Sequence, residues 1–362
     1  MNQCSSCTAL PALESSGYLL FTHTSFSVLR ELRYHMLQNG YNSCIQDNTL
    51  YYYYSAVQTL SPFLDFIERA LPEDLAGLKG AWTDKDQQAH ANMINFPQLK
   101  ERISRPSFMT VINNQQFTHH MQPIIQLNTG EVMGYEFLMR SQAEAAQFRP
   151  DQLFSFSQQS GLQSLLDNRA RIASIKTSAK YLKPGIKRFI NFLPSSIYDP
   201  DHCLLSTFAT ARSLGISTKD LVFEVVETEK FDNLEHLLRI FQIFQSHGVR
   251  VALDDLGAGY STIDVMEELQ PHYVKIDRSL VDYCDRELKK QQRLEKIISR
   301  AGSHGIITLA EGIERSEELN CVRELGFDLA QGYLIGEPKA ALPFQADQNE
   351  LVYCPGNKKD RS

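Results

Sequence analysis

The chain has 362 residues, 43% of them hydrophobic, enough to bury one barrel-sized core together with a smaller unit. Its 43 acidic residues exceed its 36 basic ones, for a formal net charge of -7. With no Lys/Arg run to neutralise a phosphate backbone, binding to DNA or RNA polymers is excluded, although a local anion pocket is not. No window reaches the ~20 apolar residues of a membrane span and no basic stretch leads into an apolar core at the N-terminus, so no membrane span and a cytoplasmic location are expected.

Seven cysteines, an odd number without an export signal, read as reduced thiols rather than a disulfide framework. Cys4-Ser5-Ser6-Cys7 lacks the second ligand pair of a zinc site and sits in a polar tail spanning 1–16, where it reads as incidental or mildly redox-sensitive.

A small α+β unit is expected over 17–85. Gly17 to Thr22 has strand character, and Ser25 to Gln38 carries helical spacing through Phe26, Leu29, Leu32 and Met36. The turn Gln46-Asp47-Asn48 joins a short run ending at Ile45 to the strand-forming Leu50 to Tyr54. Leu60 to Leu71 is a second amphipathic helix and Leu78 to Trp82 a last strand. This β-α-β-β-α-β order matches a ferredoxin-like, split βαβ sandwich. The unit holds no evident chemistry, and its position suggests a regulatory or partner-binding role. Residues 86–110, polar and broken at Arg105-Pro106, read as a connector.

From 111 to 345 strand and helix signals alternate. Met121 to Leu127 and Val132 to Met139 flank Asn128-Thr129-Gly130, the chemistry of a hairpin turn, so the first two strands are antiparallel. The apolar runs Phe189 to Phe192, Leu221 to Val226, Val249 to Leu253, Tyr273 to Ile276, Ile306 to Ala310 and Leu329 to Ile335 then alternate with helical stretches. One of these is a charged helix from Leu280 to Arg300. The expected fold is α/β, a (β/α) TIM-like barrel with an antiparallel first strand pair. Residues 346–362 form a polar C-terminal tail.

Chemistry concentrates at strand ends. Val251-Ala252-Leu253 runs into Asp254-Asp255, and two carboxylates at the end of a dry strand require a cation between them. Neighbouring strand residues face opposite ways, so both reach one site only where extended structure stops, which Gly257 and Gly259 permit. In isolation the pair could instead cap a helix starting near Ser261. However, Glu136, Asn191, Glu224, Asp254, Asp255, Lys275, Glu311 and Gln331 all fall within or at the end of successive apolar runs, where barrel enzymes keep their catalytic groups. Oxygen ligands without matching His or Cys favour a hard ion, Mg²⁺ or Mn²⁺, over zinc.

Gly134-Tyr135-Glu136-Phe137-Leu138-Met139-Arg140, Phe223-Glu224-Val225-Val226-Glu227, Asp254 through Ser261, Val274-Lys275-Ile276-Asp277-Arg278, Ala310-Glu311-Gly312-Ile313-Glu314 and Gln331-Gly332-Tyr333 together resemble the EAL family of cyclic-di-GMP phosphodiesterases. The resemblance spans the barrel region, about two-thirds of the chain, and leaves the N-terminal unit uncovered. It implies two metal ions, with Glu136, Asn191, Glu224 and Asp254 as ligands of the first, and Asp254, Asp255 and, through water, Glu311 as ligands of the second. Lys275 then touches the attacking water, Glu311 is the general base, and Glu227 anchors the glycine loop. Gln122, Leu138, Arg140, Asp277, Glu314 and Gln331 match substrate-contacting positions. The implied reaction is hydrolysis of cyclic-di-GMP to linear pGpG by a homodimeric enzyme.

The sequence departs from the family pattern in three places. Phe137 replaces the alanine of the signature tripeptide, and on a regular pleat its ring fills the layer behind Glu136. Leu256 and Ala258 stand where the family has Phe and Thr, and Val226 replaces a hydroxyl residue. Every expected metal ligand is kept, which favours an active enzyme. A barrel that binds cyclic-di-GMP without cutting it, signalling through the N-terminal unit or a protein partner, is the alternative.

Overall fold

The computed structural model describes residues 11, 13–85, 92–225, 234–257 and 262–340, and its contacts divide the chain into two compact units. The first comprises residues 1–117 and 141–166. Its strands β1 (Gly17–Thr22), β2 (Ser43–Gln46), β3 (Thr49–Tyr54), β4 (Lys79–Thr83) and β5 (Ile94–Asn95) form a sheet in the order β2-β3-β1-β4-β5. The first four are antiparallel in the split βαβ order expected from the sequence. Asp47 and Asn48, with φ of 46° and 58°, form the two-residue turn between β2 and β3, the primed geometry that matches strand twist. Helices α1 (Phe26–Gln38) and α2 (Leu60–Ala70) bury Leu29, Leu32, Phe63 and Ile67 with Leu19, Phe21 and Tyr52 from the sheet. Tyr52 and Phe63 stack with centroids 3.9 Å apart. The tyrosine run is thus explained by alternation: Tyr52 and Tyr54 are buried while Tyr53 is exposed.

Part of the segment read as a connector is instead built into this unit. β5 pairs with β4, and α3 (Phe96–Ser104) places Phe96, Leu99 and Ile103 in the first core. Three apolar residues at helical spacing within a polar stretch supply the reason. α4 (Pro106–Asn113) follows, and α5 (Pro150–Gln159) belongs to the same unit. There the buried Arg102 of α3 donates to the carbonyl of Ser160, 2.8 Å away just past α5, a cation at a helix C-terminus. Burial lowers the Arg102 guanidinium to about 10.

The second unit is the barrel. β6 (Phe117–Gln126), β7 (Val132–Ser141), β8 (Lys187–Phe192), β9 (Leu221–Val225), β10 (Arg250–Leu256), β11 (Tyr273–Ile276), β12 (Ile307–Ala310) and β13 (Leu329–Ala330) are hydrogen-bonded in sequence order, and β13 closes onto β6. β7 to β13 run parallel where their registers are defined, whereas β6 is antiparallel to β13, the inverted first strand expected from the hairpin. β14 (Lys339–Ala340) adds to the free part of β6. No helix among the described residues is long and apolar enough to cross a membrane.

Two elements differ from the sequence reading. The last strand stops at Ala330 rather than running to Ile335: a Cβ on Gly332 would lie 2.1 Å from the Ile313 carbonyl oxygen, so the chain turns there, with Ile313 N–H donating to Gln331 and Leu334 N–H to Ile313. The helix expected over Leu280 to Arg300 is two, Arg278–Val281 and Leu288–Ser303. They are separated at Tyr283, which has φ 55° and whose N–H is held by Glu318.

Candidate active site

Period-two alternation stacks the barrel interior in layers. Ile124, Phe189, Val222, Ala252, Tyr273, Leu309 and Leu329 form one buried inner cluster. Two residues further towards the rim on the same strands come Gln122, Asn191, Glu224, Asp254, Lys275, Glu311 and Gln331, with Glu136 beside them on β7. An apolar plug therefore floors a polar layer at the C-terminal ends of the parallel strands. Phe137 points the other way, 2% exposed in the core between barrel and helices, as the pleat requires.

Lys275 is the centre of this layer. Its Nζ lies 2.9 Å from Glu224, 2.9 Å from Glu311, 3.0 Å from Asp254 and 3.6 Å from Glu136, and the side chain is 1% exposed. Burial alone would strip the lysine's proton, but Asp254, Glu136, Glu224 and Glu311 outweigh it and hold the ammonium well above its ordinary value. For Glu224, burial is the largest influence, and with Glu136 and Asp254 it drives the carboxyl well up despite Lys275. Glu311 is raised by burial and by Asp254 and Glu136 in the same way. Burial also pushes on Glu136, but Lys275 and hydrogen bonds from Gln331 and Asn191 prevail and lower it.

Glu136 is fixed by side-chain amides. Gln331 donates to it at 2.7 Å and Asn191 at 3.2 Å. Gln331 also donates to Gln122 at 3.1 Å, and Gln122 to the Gly336 carbonyl at 3.1 Å. Asn191 thereby spends its NH₂ on Glu136 and keeps its carbonyl oxygen for a ligand.

Asp254, Asp255 and Glu311 offer carboxylate oxygens within 4.8 Å of one another. The neighbouring aspartates converge because β10 bulges: Leu253 pairs with Val274 and Leu256 with Ile276, three steps against two, and Asp255 takes φ 54°. The break in extended structure is thus at Asp255 itself, ahead of Gly257. Gly257 has φ 105°, and a Cβ there would meet Leu280 at 2.3 Å. The fit to cations is testable on one atom: Glu224 Oε2 is fully buried and has no hydrogen-bond partner among the described residues. Four carboxylates around one lysine, one of them with an unpartnered oxygen, suit divalent ions.

A pocket of about 220 Å³ opens above this layer, lined by Gln122, Glu136, Leu138, Glu311, Glu314 and Gln331 together with Arg278 and Tyr333, to which no role fell from the sequence. Arg278 stands immediately after Asp277 in the run Val274 to Arg278, the only signal that could have marked it. Arg140 and Asp277 do not line the pocket: the guanidinium of Arg140 donates to the Met139 carbonyl at 2.7 Å, and Asp277 caps the helix starting at Arg278. Glu227, Val226, Ala258, Gly259 and the Cys4/Cys7 pair lie outside the described residues.

The EAL domain family matches residues 105–338 of this sequence. The chain belongs to that family. Its EAL barrel is 31% identical over 237 residues to the probable cyclic di-GMP phosphodiesterase PdeG of Escherichia coli (strain K12), covering 63% of this chain and 45% of that protein. Probable cyclic di-GMP phosphodiesterase PdeN of the same organism is 29% identical over 241 residues, covering 64% of this chain and 45% of that protein. The chain thus spans about half the length of these relatives. Among solved structures, a standalone EAL protein of Vibrio cholerae O395 in its c-di-GMP bound form is similar at TM-score 0.57 and 29% identity, covering 62% of this chain and 93% of that one. The BlrP1 protein of Klebsiella pneumoniae, solved with calcium and cy-diGMP, shares the fold over 90% of this chain and 96% of its own at TM-score 0.58 and 17% identity. The EAL barrel is accordingly the TIM-like barrel expected from the strand pattern.

Proposed function

We propose that this chain hydrolyses cyclic-di-GMP to linear pGpG, using two divalent ions, Mg²⁺ or Mn²⁺, held by Glu136, Asn191, Glu224, Asp254, Asp255 and Glu311. The carrying observation is the cluster itself: carboxylates from β7, β9, β10 and the end of β12 surround Lys275 at 2.9 to 3.6 Å, and the ligand set implied by the family resemblance supports this reading. When bound, a pair of such ions supplies water activation and charge neutralisation at a phosphodiester. The protein's own part is positional. Gln122 and Gln331 fix Glu136, Lys275 holds Glu311 and orients the attacking water, and Glu311 accepts the proton of that water. Leu138 gives the substrate an apolar wall, and Arg140 turns from the Met139 carbonyl to a phosphate oxygen. Opening one ester of the ring leaves a 5′-phosphate on one end and a 3′-hydroxyl on the other. Glu227 anchors the glycine loop in this reading, which also carries a homodimer and a regulatory N-terminal unit.

One observation favours a receptor that binds without cutting: the loop after Asp255 has lost the family's hydroxyl at Ala258. An assay decides. The full chain is incubated with cyclic-di-GMP and Mg²⁺ or Mn²⁺, and pGpG is followed by chromatography with Glu136→Ala as control. Product from the parent alone supports the enzyme, whereas binding without product under either metal overturns it in favour of the receptor.

A further inference from the structure

The barrel has a second polar layer, at the end away from the metal-ligand carboxylates. Two residues below the apolar plug, towards the N-terminal ends of the parallel strands, Phe189 gives way to Lys187, Val222 to Asp220 and Ala252 to Arg250. A cavity of about 380 Å³ lies there, with Lys187, Arg250 and Tyr273 on its polar side and Met133, Ile307 and Phe327 on its apolar one. Polar residues at that end of a barrel ordinarily serve stability, and Lys187 does so: it donates to the Lys219 carbonyl at 2.9 Å and pairs with Asp220 at 3.4 Å. Arg250 differs, because it makes no ion pair among the described residues and its Nη1 donates to the Tyr273 hydroxyl at 2.7 Å.

Tyr273 is 1% exposed, and burial raises its phenol despite Arg250, so the hydroxyl keeps its proton. Having accepted from Arg250, it has that proton left to donate, and no hydrogen bond to another described residue takes it. Arg250 likewise keeps its remaining N–H groups, so two neighbouring donors line one cavity. The charges point the same way. Asp220 stands against both Lys187 and, at 3.6 Å, Arg188, while Asp328, which also lines the cavity, is tied to the Thr308 N–H and hydroxyl at 2.8 and 2.9 Å. Three cations, Lys187, Arg188 and Arg250, against two carboxylates leave one positive charge. We propose that this end of the barrel binds a small organic monocarboxylate, with its oxygens on Arg250 and Tyr273 and its apolar body against Met133, Ile307 and Phe327. A phosphate dianion is the weaker candidate, since it exceeds that charge beside Asp328 and leaves the apolar wall uncovered.

The probe is benzoate, with benzamide as its uncharged isostere and inorganic phosphate as a second anion. Thermal unfolding and calorimetric titration are run on the full chain in chelator, where neither metal nor nucleotide takes part, with the parent, Arg250→Gln and Tyr273→Phe, each checked for folding by circular dichroism. Benzoate, and not benzamide, is expected to raise the parent's unfolding midpoint as its concentration rises. Arg250→Gln is expected to weaken benzoate binding about tenfold to a hundredfold, and Tyr273→Phe about threefold to tenfold. Crystals soaked in para-bromobenzoate should place the bromine, by its anomalous scattering, between Met133 and Phe327. Equal effects of benzoate and benzamide overturn the inference, as does benzoate binding unchanged in both folded variants or a bromine found elsewhere on the chain. Stabilisation by phosphate through Arg250, without any by benzoate, overturns it in favour of an inorganic or phosphorylated anion.

Discussion

Lys275 Nζ lies 2.9 Å from Glu224 Oε1, yet the other oxygen of that carboxylate has no hydrogen-bond partner among the described residues. A fully buried carboxylate with Glu136 and Asp254 acting against its charge costs the metal-free protein stability. Glu224→Gln is therefore expected to stabilise the metal-free chain, by about 1–3 kcal/mol, while diminishing the stabilisation that Mn²⁺ provides. Thermal unfolding with and without Mn²⁺ reads both effects. A variant less stable than its parent in chelator would show that Glu224 acts chiefly as the counter-charge of Lys275.

The bulge at Asp255 gives a second prediction. At φ 54° asparagine is tolerated almost as well as aspartate, but alanine is not. Asp255→Asn is expected to keep the parent's unfolding midpoint and to weaken Mn²⁺ binding at least tenfold. Asp255→Ala should weaken binding similarly and also lose about 1–2 kcal/mol of stability. Calorimetric titration with Mn²⁺ and urea unfolding separate the two. Equal stability of the two variants would remove the backbone argument.

These residues mark how far the sequence could be read. Carboxylates recurring at the ends of apolar runs revealed the polar layer because alternation in a strand is a local property, and the same alternation placed Phe137 behind Glu136. Asp255 resisted the same logic. The bulge depends on pairing with β11, and no local pattern shows which residue of Asp254-Asp255-Leu256-Gly257 absorbs the turn. Residues 86–110 read as a connector because Phe96, Leu99 and Ile103 are few and widely spaced, and only the sheet they cover makes them core. Arg278 was passed over because its partner, Glu314, is 36 residues away.

Phe137 supplies a third prediction. Its ring is 2% exposed in the core that joins barrel to helices, so restoring the family's alanine with Phe137→Ala should open a cavity and cost about 3–5 kcal/mol. Because that ring faces away from Glu136, kcat for cyclic-di-GMP is expected not to rise. Urea unfolding alongside steady-state kinetics checks this. A faster enzyme of undiminished stability would mean that the ring crowds the metal ligand.

The last prediction concerns pH and a histidine outside the carboxylate layer. His119 on β6 is 3% exposed. Burial first, then the charges of Arg140 and His120, depress its imidazole to about 4. In the unfolded chain it titrates near its ordinary value of 6.5, so between those limits the unfolded state binds the extra proton. The stabilising contribution is therefore complete above pH 6.5 and is lost as pH falls towards 4, at about 1.4 kcal/mol per unit and up to about 3 kcal/mol in all. His119→Gln removes the titration while keeping a polar side chain of comparable reach. Comparing the urea stability of parent and variant from pH 7 to pH 4 isolates this group from the carboxylates, which titrate in both. The difference between the two should narrow or reverse as pH falls, in favour of the variant. Parallel pH profiles would instead mean that His119 accepts its proton in the folded barrel without penalty, and that the interior around β6 admits a charge beside Arg140.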